Sequence, residues 1–163
     1  YADRRAACEQ AARILGVTHL RDVDPRDLAA ALDRLPNEAG RARVRHVVTE
    51  IDRVRACVAA LEADDFATVG RLFDASHDSL RDDYAVSCAE LDTAVEAARA
   101  AGALGARMTG GGFGGSAIAL VHSARAEAVA ADVARAFATA GFRPPATFPA
   151  YPAAPAHLEP HDA

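Results

Sequence analysis

Five glycines within six residues, Gly110, Gly111, Gly112, Gly114 and Gly115 around Phe113, are the part of the chain best suited to ligand chemistry. Glycine permits positive φ and close approach of another backbone or a ligand. The amides of such a turn can converge into an anion-binding nest. Two phosphate-loop patterns fit by count alone. G-x-G-x-x-G at Gly110, Gly112 and Gly115 needs strand, loop, then helix, whereas SAIALVH (116–122) reads as a strand directly after the loop. The Walker A spacing from Gly110 to Gly115 is followed by Ser116 where lysine is required. The glycines alone leave two readings open: a tight hairpin turn packed on a neighbour, or a loop facing a ligand.

The other reactive groups are less suggestive. All 18 basic residues are arginine, so Schiff-base chemistry and the phosphate-loop lysine are excluded from this chain. A net charge of −5 without a basic cluster argues against a nucleic-acid surface. Cys8, Cys57 and Cys88 form no CxxC or Cys/His pattern and read as free, semi-buried thiols of a reduced, cytoplasmic protein with no metal site. His77 and His46 lie on apolar helical faces and read as core or interface histidines. Asp82 and Asp83 point about 100° apart on a helix, so they cannot converge on one atom and read as a solvated helix end. Arg41, Arg43 and Arg45 alternate rather than share a face, and read as solvated or salt-bridged.

The elements that must position these groups follow from periodicity. At 163 residues with 51% hydrophobic content, the chain is long enough for one domain with its own core. No apolar run reaches the roughly 18–20 residues of a membrane span. It starts at Tyr1, not Met, and enters a helical pattern at once, so it reads as a piece of a longer protein. A first helix over 3–16 carries Ala6, Ala7, Ala11, Ile14 and Leu15 and stops at Gly16. Asp24-Pro25 opens a short helix through Leu28, Ala31, Leu32 and Leu35. Val44, Val47, Val48, Ile51, Val54, Val58 and Leu61 mark a long helix from about 41 to 62. Asp64 or Asp65 caps the next, with Phe66, Val69, Phe73, Ser76 or His77, Leu80 and Tyr84 on one face. Ser87 and Glu90 fit a capping box for a helix running to Gly102. Then come a short strand at 105–109, the glycine loop, the strand at 116–122, a helix over 124–140 stopped by Gly141, and an edge strand at 146–151 carrying Pro149. Helices followed by strand, loop, strand, helix, strand predict an α+β domain with a small antiparallel sheet over residues 1–152, and a loose tail at 153–163.

The longer string GARMTGGGFGGS (105–116) resembles the third conserved motif of the GHMP kinases in its galactokinase form. YADRRAACEQAA (1–12) is similar to the family's Y-x-x-R-R-x-x-C-E-x-A, and HLRDV (19–23) to its L-R-D-V. RARVRHVVTEIDRV (41–54) resembles R-A-R-H-V-V-x-E-x-x-R-V with an extra Val-Arg pair. GRLFDASHDSLRDDYAVSCAELD (70–92) resembles G-x-L-M-x-x-S-H-x-S-L-R-D-D-Y-x-V-S-C-P-E-L-D, with Ala89 in place of proline. The tail around 153–158 lacks the family's glycine.

The resemblance covers only the C-terminal part of such a kinase. It implies a GHMP kinase C-terminal domain with helices packed on a small antiparallel sheet. It implies a parent that transfers the γ-phosphoryl group of ATP to the 1-hydroxyl of α-D-galactose. The phosphate-cradling loop, the catalytic base and the Mg²⁺ ligands would belong to an N-terminal half outside this chain. No catalytic or metal-binding residue is therefore expected here. Tyr1 aligns with the family's galactose-contacting tyrosine, and Gly110, Gly111, Gly112, Phe113, Gly114 and Gly115 would close the active site against that half. A non-catalytic galactose- and ATP-binding sensor shares these motifs, as would an inert fragment; the residues that separate them precede Tyr1.

Overall fold

The computed structural model describes residues 2–153. Tyr1 and, beyond residue 153, the expected tail lie outside the described residues. Among the described residues, six helices and one hairpin follow each other: α1 (Ala2–Leu15), α2 (Leu28–Asp33), α3 (Glu38–Glu62), α4 (Phe66–Asp82), α5 (Ala89–Ala100), β1 (Gly105–Thr109), β2 (Ser116–Leu120) and α6 (Ala126–Ala140). Short 3-10 turns at Leu20–Asp22, Pro25–Asp27 and Ser123–Arg125 lead into the following elements.

Helix ends follow local chemistry. The Asn37 side chain accepts from the Gly40 amide at 2.8 Å, so α3 starts at Glu38, one turn earlier than its apolar pattern predicts. Asp65, not Asp64, caps α4 by accepting from the Thr68 amide at 3.0 Å. Gly141 takes a left-handed φ of 73° and ends α6. The capping box expected at Ser87 is not formed. Cys88 is the N-cap of α5 and makes no side-chain cap bond, while the Ser87 hydroxyl donates to Asp92 Oδ1 at 2.5 Å. A bond from a hydroxyl to a charged carboxylate is a strong one.

The core is divided. Ala11, Leu15, Leu35, Val44 and Val48 join α1, α2 and the first half of α3. Val95, Ala98, Val129, Val133 and Phe137 join α5 and α6 beneath β1. Val86, Leu91 and Met108 form a small cluster directly under the 110–115 loop. The second half of α3 departs from its sequence pattern: Val54, Val58 and Leu61 are 54%, 51% and 49% exposed, because no described element covers that side. Ile14 and Phe66 are exposed as well.

The sheet has two antiparallel strands, with Gly105 opposite Leu120 and Thr109 opposite Ser116. The strand expected at 146–151 does not form, and Phe148 and Tyr151 are exposed. Pro144, Pro145, Pro149 and Pro152 remove backbone donors from that stretch. Helix α4 takes the place of a further strand beside β1. Gly70 and Gly105 let the two backbones meet: a Cβ on Gly70 would lie 2.0 Å from the Leu104 carbonyl oxygen.

Candidate functional site

Helix α4 supplies what the free edge of β1 lacks. Asp74 Oδ1 accepts from the Ala106 amide at 2.8 Å, and His77 Nδ1 accepts from the Met108 amide at 3.2 Å. Both amides point away from β2 and would otherwise be buried without partners. Arg99 fixes Asp74, donating to its Oδ1 at 2.7 Å and to its carbonyl at 2.8 Å. His77 is fully buried, and burial, above all, pushes its imidazole below the ordinary histidine range. Its Nε2 lies 3.2 Å from Asp92 Oδ1 but lacks the alignment of a hydrogen bond.

The strand anchored in this way leads into the glycine loop, which closes the hairpin between Thr109 and Ser116. Positive φ angles run through Gly110, Gly112, Phe113, Gly114 and Gly115, but not Gly111. Gly112 has a further constraint. A Cβ there would meet the Val86 carbonyl oxygen at 2.4 Å, with the Met108 methyl at 3.2 Å. The Phe113 amide donates to the same Val86 carbonyl at 2.7 Å, so the loop is pinned to the segment after α4. Gly112 is therefore explained by packing. Gly111 is not: it has no positive φ, and a Cβ would meet nothing within 4 Å. The Phe113 ring is 54% exposed.

Arg4 braces the segment that holds the loop. Its guanidinium donates to the carbonyls of Tyr84 and Ala85, each at 3.0 Å, and its carbon lies 5.9 Å from the centre of the Phe113 ring. Ala85 has a positive φ of 52°, which these bonds help to hold. Arg4 stands three residues after Tyr1, so the start of α1 and the glycine loop converge on the Tyr84–Val86 segment. Tyr1 itself is outside the described residues.

The remaining sequence candidates have structural partners. His46 is buried, stacks on Tyr84 at 4.6 Å between ring centres, and its Nδ1 lies 3.0 Å from the Ser79 hydroxyl. Ser79 donates onward to Asp83 at 3.0 Å, so the His46 Nδ1 is the donor in its bond. Burial is the main cause that takes the His46 imidazole down to about 4. Asp82 is an exposed partner of Arg81, as expected, but Asp83 is not a solvated end. It is largely covered and paired with Arg45 Nη1 at 2.8 Å. Arg43 donates to the Asp83 carbonyl, and Arg41 to the carbonyls of Leu32 and Leu35 at 3.2 and 3.0 Å. Glu50 links α3, α4 and β1 through Ser76 at 2.5 Å, Arg53 at 2.7 Å and Arg107 at 3.4 Å. Burial by itself would raise the Glu50 carboxyl, but those bonds outweigh it and hold it below its ordinary value.

Cys8, Cys57 and Cys88 are free thiols. Among the described residues, no group of His, Cys, Asp and Glu is arranged to hold a metal ion, and no helix is long and apolar enough to cross a membrane. A concavity of about 440 Å³ lies on α3 between Val47, Ile51, Val54 and Tyr84. Its lining is almost wholly apolar, and it shares only Tyr84 with the supports of the loop. Sequence reasoning missed Arg4, Asp74 and Arg99. Arg4 and Asp74 fall inside the motif strings but have no periodicity that marks them, because their partners are up to 81 residues away.

Residues 57–139 match the family model described as GHMP kinases C terminal. The chain is 55% identical over 155 residues to the galactokinase of Streptomyces coelicolor, covering 94% of this chain and 40% of that one. It is 51% identical over 130 residues to the galactokinase of Bos taurus, covering 79% of this chain and 33% of that one. A crystal structure of Lactococcus lactis galactokinase complexed with galactose superimposes with a TM-score of 0.85 at 36% identity, over 88% of this chain and 38% of that one. The chain thus spans about two fifths of the Streptomyces relative's length. The matched region includes α4, α5, the glycine hairpin and nearly all of α6, but not α1, whose Arg4 braces the segment that holds the loop. On that match, the chain belongs to the GHMP kinase family, as its C-terminal domain.

Proposed function

We propose that the chain is the C-terminal part of a galactokinase, a polypeptide that transfers the γ-phosphoryl group of ATP to the 1-hydroxyl of α-D-galactose. The observation that carries this reading within the structure is Gly111. Neither its backbone conformation nor its surroundings require glycine. A bare backbone at an exposed loop position suits close approach by something outside the described residues. The relatives named galactokinase supply the class of reaction.

Under this reading the 110–115 loop closes the sugar and phosphate site from the C-terminal side. Its backbone amides, apart from that of Phe113 which is bonded to Val86, are donors suited to an anion, and closure keeps water from the transferring group. The Tyr1 hydroxyl, one directional donor and acceptor beside an apolar ring, contacts the sugar. ATP and Mg²⁺ are implied by the family, but the groups shown around the loop do not fit a magnesium centre. They are backbone amides, the Phe113 ring and Arg4, and the chain has no lysine. The N-terminal part of the polypeptide holds both, and supplies the base. The domain ends near residue 152, and the protein works in the cytoplasm. The sensor and inert-fragment readings gain nothing from relatives named as kinases.

The test is steady-state kinetics of the complete polypeptide carrying Gly111→Ala. Stability is expected to stay within about 0.5 kcal/mol of wild type, while kcat for galactose phosphorylation falls or the KM for galactose rises several-fold. Wild-type constants would refute the site role of the loop. Residues 1–163 alone are expected to give no galactose-dependent turnover with ATP and Mg²⁺.

A further inference from the structure

The geometry points to His77 as a positioning residue for the glycine loop: its unprotonated Nδ1 holds the Met108 amide, and Met108 carries the loop against Val86. The inference rests on reading the 110–115 loop as part of the kinase site. Four observations support it. His77 is fully buried, yet it sits on a helix and bonds the backbone of a strand 31 residues later. An amide donates to Nδ1 only when that nitrogen carries no proton, so the ring proton is on Nε2, which lies 3.2 Å from Asp92 Oδ1 as a close contact and not an aligned hydrogen bond. Asp92 is held by the Ser87 hydroxyl at 2.5 Å. One residue beyond the bonded amide, β1 turns into the loop, and the Met108 methyl lies beneath Gly112.

The chain of contacts therefore runs Ser87, Asp92, His77, Met108, Gly112, with the Phe113 amide closing it on Val86. Losing the Nδ1 acceptor leaves a buried amide without a partner. β1 then relaxes at the root of the loop, and the Phe113–Val86 bond opens more often.

The chemistry separates positioning from mere filling of space. Asn Oδ1 occupies the place of His Nδ1, one bond from Cγ, and accepts the same amide. Gln reaches past it, and Leu accepts nothing. The test compares His77→Asn, His77→Gln and His77→Leu in the complete polypeptide. Met108 is the only methionine of this chain, so its methyl resonance, identified by loss in Met108→Leu, reports on the loop floor. Nitrogen shifts of wild-type His77 are expected to show a bare Nδ1. In the Leu and Gln variants the Met108 and Phe113 amides should exchange roughly five- to one-hundred-fold faster. The Met108 methyl should shift, and kcat per folded molecule should drop by a similar factor with the KM for ATP little changed. His77→Asn should restore most of each. Leu35→Ala, a buried cavity in the separate core between α1, α2 and α3, should lower stability without changing kcat per folded molecule.

A protonated Nδ1, Asn no better than Gln, or wild-type Phe113 exchange in His77→Leu would each overturn the inference. If the complete wild-type polypeptide phosphorylates no galactose, the kinase reading fails. The exchange rates and the methyl shift still decide whether His77 positions the loop.

Discussion

Replacing Gly70 by alanine adds one methyl group to α4, and helix propensity alone would make the change stabilising by about 1 kcal/mol. The structure requires the opposite sign. The new Cβ would lie 2.0 Å from the Leu104 oxygen and 2.4 Å from its carbonyl carbon, both backbone atoms. Carbon contacts settle near ~3.5–4.0 Å, so α4 and β1 must separate by more than ~1 Å. The bonds across that seam, Asp74 to the Ala106 amide at 2.8 Å and His77 to the Met108 amide at 3.2 Å, do not survive such a shift. A buried donor left unpaired costs about 1–3 kcal/mol. Two of them, less the propensity gain, give a net loss of about 1–5 kcal/mol. That is a large share of the roughly 5–15 kcal/mol by which domains are stable. Urea unfolding followed by far-ultraviolet circular dichroism measures it, with the m-value confirming a single transition. Gly105→Ala should behave alike, because its Cβ would lie 1.9 Å from the Gly70 oxygen. An unchanged or raised midpoint for Gly70→Ala would refute the claim that α4 replaces a strand at this edge.

Asn37→Ala should cost about 0.5–2 kcal/mol by uncapping α3; an unchanged urea midpoint would count against that cap. Arg4→Leu releases the carbonyls of Tyr84 and Ala85, so the Phe113 amide should exchange faster while the helical signal stays the same. Exchange at the wild-type rate would remove Arg4 from the loop's support. With its folded pKa depressed to about 4, buried neutral His46 favours the folded state above its unfolded pKa, and that contribution is lost as pH falls through the window between them. Taking about 6.5 for the unfolded imidazole, stability at pH 5 should be about 2 kcal/mol below that at pH 7. His77, also depressed by burial, adds in the same direction. A flat profile from urea midpoints between those pH values would show that neither histidine is buried neutral.

Much of the helical architecture was legible because capping and periodicity are local. The side-chain oxygen of Asp65, the left-handed Gly141 and the apolar spacing of α4 and α6 each act within a few residues. The motif strings carried the family, and the glycine run marked the hairpin turn. Expectations failed where a contact outside the local pattern, or the lack of one, decided: Asp83, read as a solvated helix end, is covered and paired with Arg45. Ser87 donates to the Asp92 carboxylate, and Cys88 stands at the N-cap of α5 in its place. Val54, Val58 and Leu61 have a core pattern but stay exposed, since a stripe on a helix does not state whether anything covers it. The stretch 146–151 has strand-like residues but no neighbour to pair with, and its prolines cannot donate. Sequence alone therefore determined the six helices, the hairpin and the family, though the start of α3 and the cap of α5 differ from the local pattern. Only the tertiary structure gave the glycines different reasons: Gly70 and Gly105 for a helix against a strand edge, Gly112 for the Val86 carbonyl, and Gly111 for nothing within the fold. Those distinctions depend on which backbones meet across tens of residues, and such approach distances have no local signature in the order of residues.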